Sequence, residues 1–206
     1  MSDVPIERHT APRPDLVAWL RRTANTMDRH PVCGDTTESF ERYVLDHGRP
    51  FFSAKLTEPE RRIAKAAVDF YRIRRDRFRP EECFGNSQEV LFDDETEKLV
   101  YVEGFAWTHA LFPVLHGWLA INHKVIDVTL PPTTRGEAAR REPRQVFGEF
   151  SDRSYFGVVF DRTYVAERRL ATGSFGSLLD DMEHGYPLLR PIGSKATRSA
   201  STSKRG

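Results

Sequence analysis

Apolar positions along the chain recur first at helical and then at strand spacing, which splits it into a helical first part and a strand-bearing middle. Pro14 and Asp15 open a helical pattern that runs to about Asp28, with Leu16, Val17, Trp19 and Leu20 on its apolar side and His30-Pro31 as the stop. A second, shorter helix is predicted from Thr36 or Thr37 to Gly48, burying Phe40, Tyr43, Val44 and Leu45. The strongest start signal is Thr57-Glu58-Pro59-Glu60, a capping box with proline in the first turn. Ile63, Ala66, Ala67, Phe70 and Ile73 follow it at helical spacing and form the apolar stripe of a helix to about Phe78. Pro80 separates that helix from one starting at Cys83, whose packed face ends at Leu91 and Phe92 before an exposed acidic turn, Asp93 to Lys98.

The period then becomes two. The strand Leu99 to Trp107 is apolar except for Glu103, a carboxylate that either faces a cleft or points to solvent at an edge. Next, Leu115, Leu119 and Ile121 alternate with His116, Trp118 and Ala120, and Val125 and Asp127 alternate with Lys124, Ile126 and Val128. A tight turn at Asn122-His123 pairs Ala120 with Val125 and Trp118 with Asp127. His116 and Asp127 then share one face as diagonal neighbours, roughly 7 Å apart at the backbone, within reach of a carboxylate-to-imidazole hydrogen bond. Pro131 to Arg144 is charged and lacks a strand period, which predicts a surface loop bordering the groove. Tyr155 to Phe160 reads as a buried strand, Asp161 or Thr163 as the cap of a helix through Leu170, and Phe175 to Glu183 as a last short helix before Gly185.

These elements predict an α+β fold, a helical N-terminal part packed on a small antiparallel sheet. Residues 1–12 are expected to form an extended arm, 13–191 a single domain, and 192–206, rich in Ser, Thr, Lys and Arg, a disordered basic tail. Composition adds limits. At 206 residues, 39% hydrophobic and 30% charged, the chain can bury one core, and its net charge of +1 gives no overall bias toward nucleic acid or membranes. Two cysteines, Cys33 and Cys83, are too few for a disulfide framework. No apolar run approaches a membrane span and the first ten residues lack a signal-peptide core, so a cytoplasmic location without membrane contact is expected.

The chemistry concentrates between Cys83 and Asp127. A thiol at a helix N-terminus beside an imidazolium is held as the nucleophilic thiolate, and a carboxylate fixes the tautomer and orientation of the imidazole. Cys83, His116 and Asp127 are the candidates for those three roles. Backbone N–H groups at the start of the Cys83 helix, with Asn86 or Gln88, are candidates for holding an oxyanion, and Glu103 and Trp118 for lining the substrate cleft. No cofactor is expected. A cysteine at a helix start, then H-x-W on a strand, then V-I-D-V-T at a strand end resembles the transglutaminase-like branch of the papain-like cysteine enzymes, over about 50 residues of the 206. The same triad order occurs in arylamine acetyltransferases. The resemblance implies a papain-like core and a thiol-dependent hydrolase or acyltransferase, a thiol protease, deamidase or transglutaminase-like enzyme, acting on an amide of a protein, peptide or small molecule through a Cys83 acyl-enzyme.

Three other features carry weaker alternatives. Arg72, Arg74, Arg75, Arg77 and Arg79 crowd the end of the third helix, either as a solvated end that complements the helix dipole or as a contact for an acidic or nucleic-acid partner. With the basic tail, that cluster defines the competing class, a non-catalytic binding protein. A zinc site from Cys83, His116, His123 and Asp127 lacks any C-x-x-C or H-x-x-x-H ligand pair. Cys33, His109 and His123 fall in expected loops, where an incidental thiol and titrating surface imidazoles are the simpler accounts.

Overall fold

The computed structural model describes residues 14–28, 38–75, 78–79, 82–107, 112–129, 146–147 and 153–190. The expected arm at 1–12, the stop at His30-Pro31, Cys33, Arg77, Pro80, His109, the loop at 131–144 and the tail at 192–206 lie outside them. Among the described residues there are five α-helices: α1 (Pro14–Met27), α2 (Phe40–His47), α3 (Glu58–Arg75), α4 (Cys83–Asp93) and α5 (Arg162–Thr172). Six strands join them: β1 (Arg49–Phe51), β2 (Val100–Trp107), β3 (Val114–Ile121), β4 (Lys124–Asp127), β5 (Val146–Phe147) and β6 (Ser154–Phe160). The fold is α+β, and none of the described helices is long and apolar enough to cross a membrane.

The strands form one antiparallel sheet in the order β1-β6-β2-β3-β4-β5. The sheet curls back on itself. Phe52, directly after β1, donates from its N–H to the His123 carbonyl (2.8 Å) and accepts from the Val125 N–H (2.9 Å), so the edge that pairs with β6 also reaches β4. Curling separates two cores. Phe51, Val102, Ala106, Trp118, Ala120, Val125 and Tyr155 pack together inside the curl. Leu119, Ile121, Ile126, Phe156, Val158 and Phe160 face the helices on the outside. The inner space is made by small residues. A Cβ on Gly157 would lie 2.6 Å from the Trp118 ring, and one on Gly104 would lie 2.3 Å from the Phe156 carbonyl oxygen.

The sequence pattern and the structure differ at several places. The N-cap of α2 is Ser39, not Thr36 or Thr37, because its side chain accepts from the Arg42 N–H. The capping box of α3 forms as expected, with the Thr57 N–H on Glu60 Oε2 at 2.7 Å. The buried face of that helix is Ala64, Ala67, Val68 and Tyr71, whereas Phe70 is 51% and Ile73 85% exposed. The stripe was displaced by about one residue, since helical periodicity in a mixed segment allows more than one apolar face. The acidic turn after α4 is held by Asp94, buried with its carboxylate accepting from the Thr96 and Leu99 N–H groups. The predicted helix over 175–183 is absent. That segment runs as an irregular strap with a 3-10 turn only at Met182–His184, because Glu103 draws its N–H groups away from helical pairing.

Candidate active site

Local chemistry puts each of the three candidate residues where it stands. Cys83 is the first residue of α4, so its N–H and those of Phe84 and Gly85 have no partner within the helix and point toward the thiol end. Asn122 and His123 both adopt positive φ, 49° and 66°, making the two-residue turn that sets Ala120 opposite Val125. That register brings His116 and Asp127 to one face, and His116 Nε2 lies 3.0 Å from Asp127 Oδ2. Glu60 fixes the turn from outside by accepting from Asn122 Nδ2 (2.8 Å) and Lys124 Nζ (3.0 Å). Lys124 also reaches the Lys55 carbonyl.

The thiol comes to the ring because Gly117 lets it. A Cβ at that position would lie 2.9 Å from Phe84 Cδ1, 3.2 Å from Phe84 Cα and 2.9 Å from the Tyr101 hydroxyl, so only glycine permits the first turn of α4 to pack this closely on β3. Ser87 Oγ reinforces the approach by donating to the Gly117 carbonyl (3.1 Å). Cys83, 8% exposed, then interacts through its side chain with His116, itself 2% exposed. With Nε2 committed to Asp127, Nδ1 is the ring nitrogen left for the sulfur. Burial opposes charge on this imidazole, but the Asp127 carboxylate and the Cys83 side chain outweigh it and raise His116 to about 10.

Asp127 is held on both oxygens. Oδ1 accepts from the Thr129 N–H (3.0 Å), and Oδ2 accepts from the Tyr155 hydroxyl (2.9 Å) as well as from His116, with Arg153 Nη1 at 4.0 Å. Thr129 in turn ties the strand end to the thiol helix, because Asn86 Nδ2 donates to its Oγ1 (3.3 Å). Tyr155, Thr129 and Gly117 were not singled out from sequence. The D-x-T spacing was the available signal for Thr129, an Asx-type turn in which the carboxylate takes the N–H two residues on.

The four secondary candidates have partners within the fold. Asn86 is fully buried, accepting from Tyr71 Oη (3.0 Å) and the Arg79 N–H (3.2 Å) while donating to the Arg79 carbonyl (2.7 Å) and Thr129, so it has no group free for an oxyanion. Gln88 donates to Tyr101 Oη (3.0 Å) and the Gly176 carbonyl (2.8 Å). Glu103 faces neither cleft nor solvent. It is fully buried and accepts from Tyr101 Oη (2.6 Å), Ser177 Oγ (2.8 Å) and the Leu178 and Leu179 N–H groups (2.7 and 3.1 Å); burial raises its pKa and these four donors work against the rise. Trp118 is fully buried inside the curl, its ring stacked near His116 at a centroid distance of 6.1 Å and edge-on to Phe51 and Tyr155, so it supports the imidazole from behind.

The arginine cluster is likewise largely engaged within the fold. Glu89, with 2% of its side chain exposed, receives Arg75 Nε (2.8 Å), Arg79 Nη2 (3.0 Å) and Arg74 Nη2 (3.5 Å); Arg74 also pairs with Asp93 (2.9 Å), Arg79 with Glu82 (2.8 Å), and Arg72 lies over Phe78. These charges clamp the end of α3 to α4. His123 sits exposed in the β3–β4 turn against Phe51, and among the described residues no group of three or more His, Cys, Asp or Glu could hold a metal ion. A polar groove of about 320 Å³ runs between the end of α5 and the 174–184 strap, lined in part by Gln88, Arg168, Arg169, Asp181 and His184; of the predicted site residues Gln88 borders it, and Cys83, His116 and Asp127 do not. No protein-family model, curated protein or solved structure matches the chain.

Proposed function

We propose that the protein is a thiol-dependent hydrolase or acyltransferase of amides, built on a papain-like, transglutaminase-like core. The observation that carries this reading is the His116 imidazole held between the Cys83 side chain and the Asp127 carboxylate; despite burial, those two neighbours push its pKa up to about 10. An imidazole that keeps its proton at neutral pH is a ready proton donor, and the sulfur beside it is the complementary nucleophile.

The steps follow from that arrangement. The Cys83 sulfur attacks the amide carbonyl carbon, and the carbonyl oxygen takes up the negative charge beside the N–H groups at the start of α4 that have no partner within the helix. As the tetrahedral intermediate collapses, the C–N bond breaks and His116 delivers its proton to the leaving amine. The acyl group remains on sulfur as a thioester. Neutral His116 then takes a proton from water or from an acceptor amine, whose oxygen or nitrogen attacks the thioester; the C–S bond breaks, and the Cys83 sulfur is released beside the reprotonated His116. Asp127 stays ionised throughout and keeps the ring oriented.

The test needs no substrate. In a Cys33→Ser background, iodoacetamide labelling of Cys83 at pH 6 is expected to run more than about tenfold faster than in the urea-unfolded chain, and to slow by at least that factor in His116→Ala. Labelling with amide-directed thiol probes, lost in Cys83→Ala, extends the result to acyl chemistry. A folded-state thiol slower than the unfolded one, and indifferent to His116, would sink the proposal.

A further inference from the structure

We propose that Tyr155 is a positioning residue of the triad: its hydroxyl holds the Asp127 carboxylate in the orientation that keeps the His116 ring aimed at the Cys83 thiol. The proposal rests on the reading of Cys83, His116 and Asp127 given above and deepens it, because it assigns the orientation of the carboxylate to a residue on a different strand, β6.

The geometry is specific. Asp127 Oδ2 carries two hydrogen bonds at nearly equal length, from Tyr155 Oη at 2.9 Å and from His116 Nε2 at 3.0 Å, while Oδ1 accepts from the Thr129 N–H at 3.0 Å. A carboxylate pinned at one oxygen by a backbone amide can still rotate about its last torsion, which is broad for Asp. The Tyr155 hydroxyl narrows that freedom by giving Oδ2, the oxygen His116 uses, a second anchor that does not move with the imidazole. Tyr155 is itself enclosed on all sides. It is fully buried inside the curl, T-shaped to Trp118 at 5.2 Å, and Trp118 is in turn stacked near His116. The inner wall therefore forms a continuous support, Tyr155 to Trp118 to His116, with Gly104 and Gly157 keeping the space beside it open. Burial, and then the neighbouring Asp127 charge, push the Tyr155 phenol well above its ordinary range, so it stays a donor at every working pH.

Among the described residues, the charged and titratable groups that face Asp127 include His116 from β3 and Arg153 and Tyr155 from the β6 side, with Cys83 of α4 acting on it through His116. β5 meets it through the Val146 backbone pairing. Among these, only the Tyr155 hydroxyl can be removed without altering charge or shape. Its loss leaves the buried carboxylate one donor short. The carboxylate then takes up a proton more readily, and the reactivity that depends on an ionised Asp127 is lost at a higher pH.

The experiment measures the pH dependence of Cys83 alkylation by iodoacetamide in wild type, Tyr155→Phe, Asp127→Asn and the double variant, all in the Cys33→Ser background. The acid limb of the profile is expected to move up by about one pH unit in Tyr155→Phe, the scale of one hydrogen bond to a buried charge. In the Asp127→Asn background the same change is expected to have no further effect on the profile, because Tyr155 acts only through the carboxylate. Site-specific 3-fluorotyrosine at 155, which keeps the shape and donates more strongly, is expected to move the limb the other way and provides the readout should Tyr155→Phe prove poorly folded. A fast wild-type thiol with an acid limb unchanged by both replacements overturns the role of Tyr155 alone. A wild-type thiol no faster than in the unfolded chain overturns the triad and this role together.

Discussion

Gly117→Ala is the sharpest probe of how the thiol reaches the histidine. The added methyl carbon would sit 2.9 Å from Phe84 Cδ1, 3.2 Å from Phe84 Cα and 2.9 Å from Tyr101 Oη. The Phe84 ring can swing aside, but the other two neighbours cannot yield cheaply. Phe84 Cα belongs to the first turn of α4, and the Tyr101 hydroxyl is fixed by Glu103 at 2.6 Å and Gln88 at 3.0 Å. The helix start must therefore move off β3 by several tenths of an ångström, stretching the Ser87-to-Gly117 hydrogen bond and the Cys83–His116 contact together. Overpacking of this kind costs about 1–3 kcal/mol, which urea unfolding reads as a lower midpoint at unchanged slope. Loss of one hydrogen bond's worth of coupling, about 1.4 kcal/mol, slows Cys83 alkylation at pH 6 about tenfold. A variant with wild-type stability and wild-type labelling would refute the claim that close packing at Gly117 sets the approach of the thiol.

Other consequences follow from named contacts. Glu60 is partly disfavoured as a charge by burial, but Asn122, the Thr57 N–H and Lys124 more than offset this and lower it to about 2, below its usual 4.5. Its stabilising effect is full above about pH 4.5 and is lost as pH falls toward about 2, so Glu60→Gln should flatten the acid limb of a stability-against-pH curve over that window. His116 has the opposite sign: its folded value of about 10 exceeds the ordinary 6.5, so its contribution is full below about pH 6.5 and fades as pH rises to about 10, and His116→Ala should remove that alkaline decline. Asn86→Ala leaves the Tyr71 hydroxyl and the Arg79 backbone without their buried partner and is expected to cost about 1–3 kcal/mol in chemical unfolding. Glu103→Gln replaces an acceptor of four hydrogen bonds with a group that presents two donors, and amide exchange at Leu178 and Leu179 should accelerate while the β2–β3 amides remain protected.

Local rules in the chain were enough for the capping box at Thr57, the start of α4 at Cys83, the Asn122-His123 turn and the alternation of β3 and β4. Each depends on neighbours within a few residues. Together they predicted that His116 and Asp127 meet, because a two-residue turn fixes register and register fixes face. The α3 stripe is less legible, since Phe70 and Ile73 satisfy the same period as the Ala64, Val68 and Tyr71 face that is buried. Nothing local distinguishes the two. Only the packing of α4 against α3 selects one.

The tertiary structure alone decided the fate of the polar residues. Glu103, Asn86 and Gln88 read as free chemistry in a linear chain, yet partners of each come from other segments: the 177–179 strap, Tyr71 of α3 with Thr129 after β4, and Gly176. The same holds for Tyr155, which reaches Asp127 across 28 positions of sequence, and for Gly117, whose need for glycine is set by a helix 30 residues upstream. A side chain's role depends on which donors and acceptors surround it once water is excluded, and burial makes those partners obligatory. Sequence determines the short-range geometry that brings the imidazole to the carboxylate. The curl of the sheet and the close seat of α4 determine which groups remain available for chemistry.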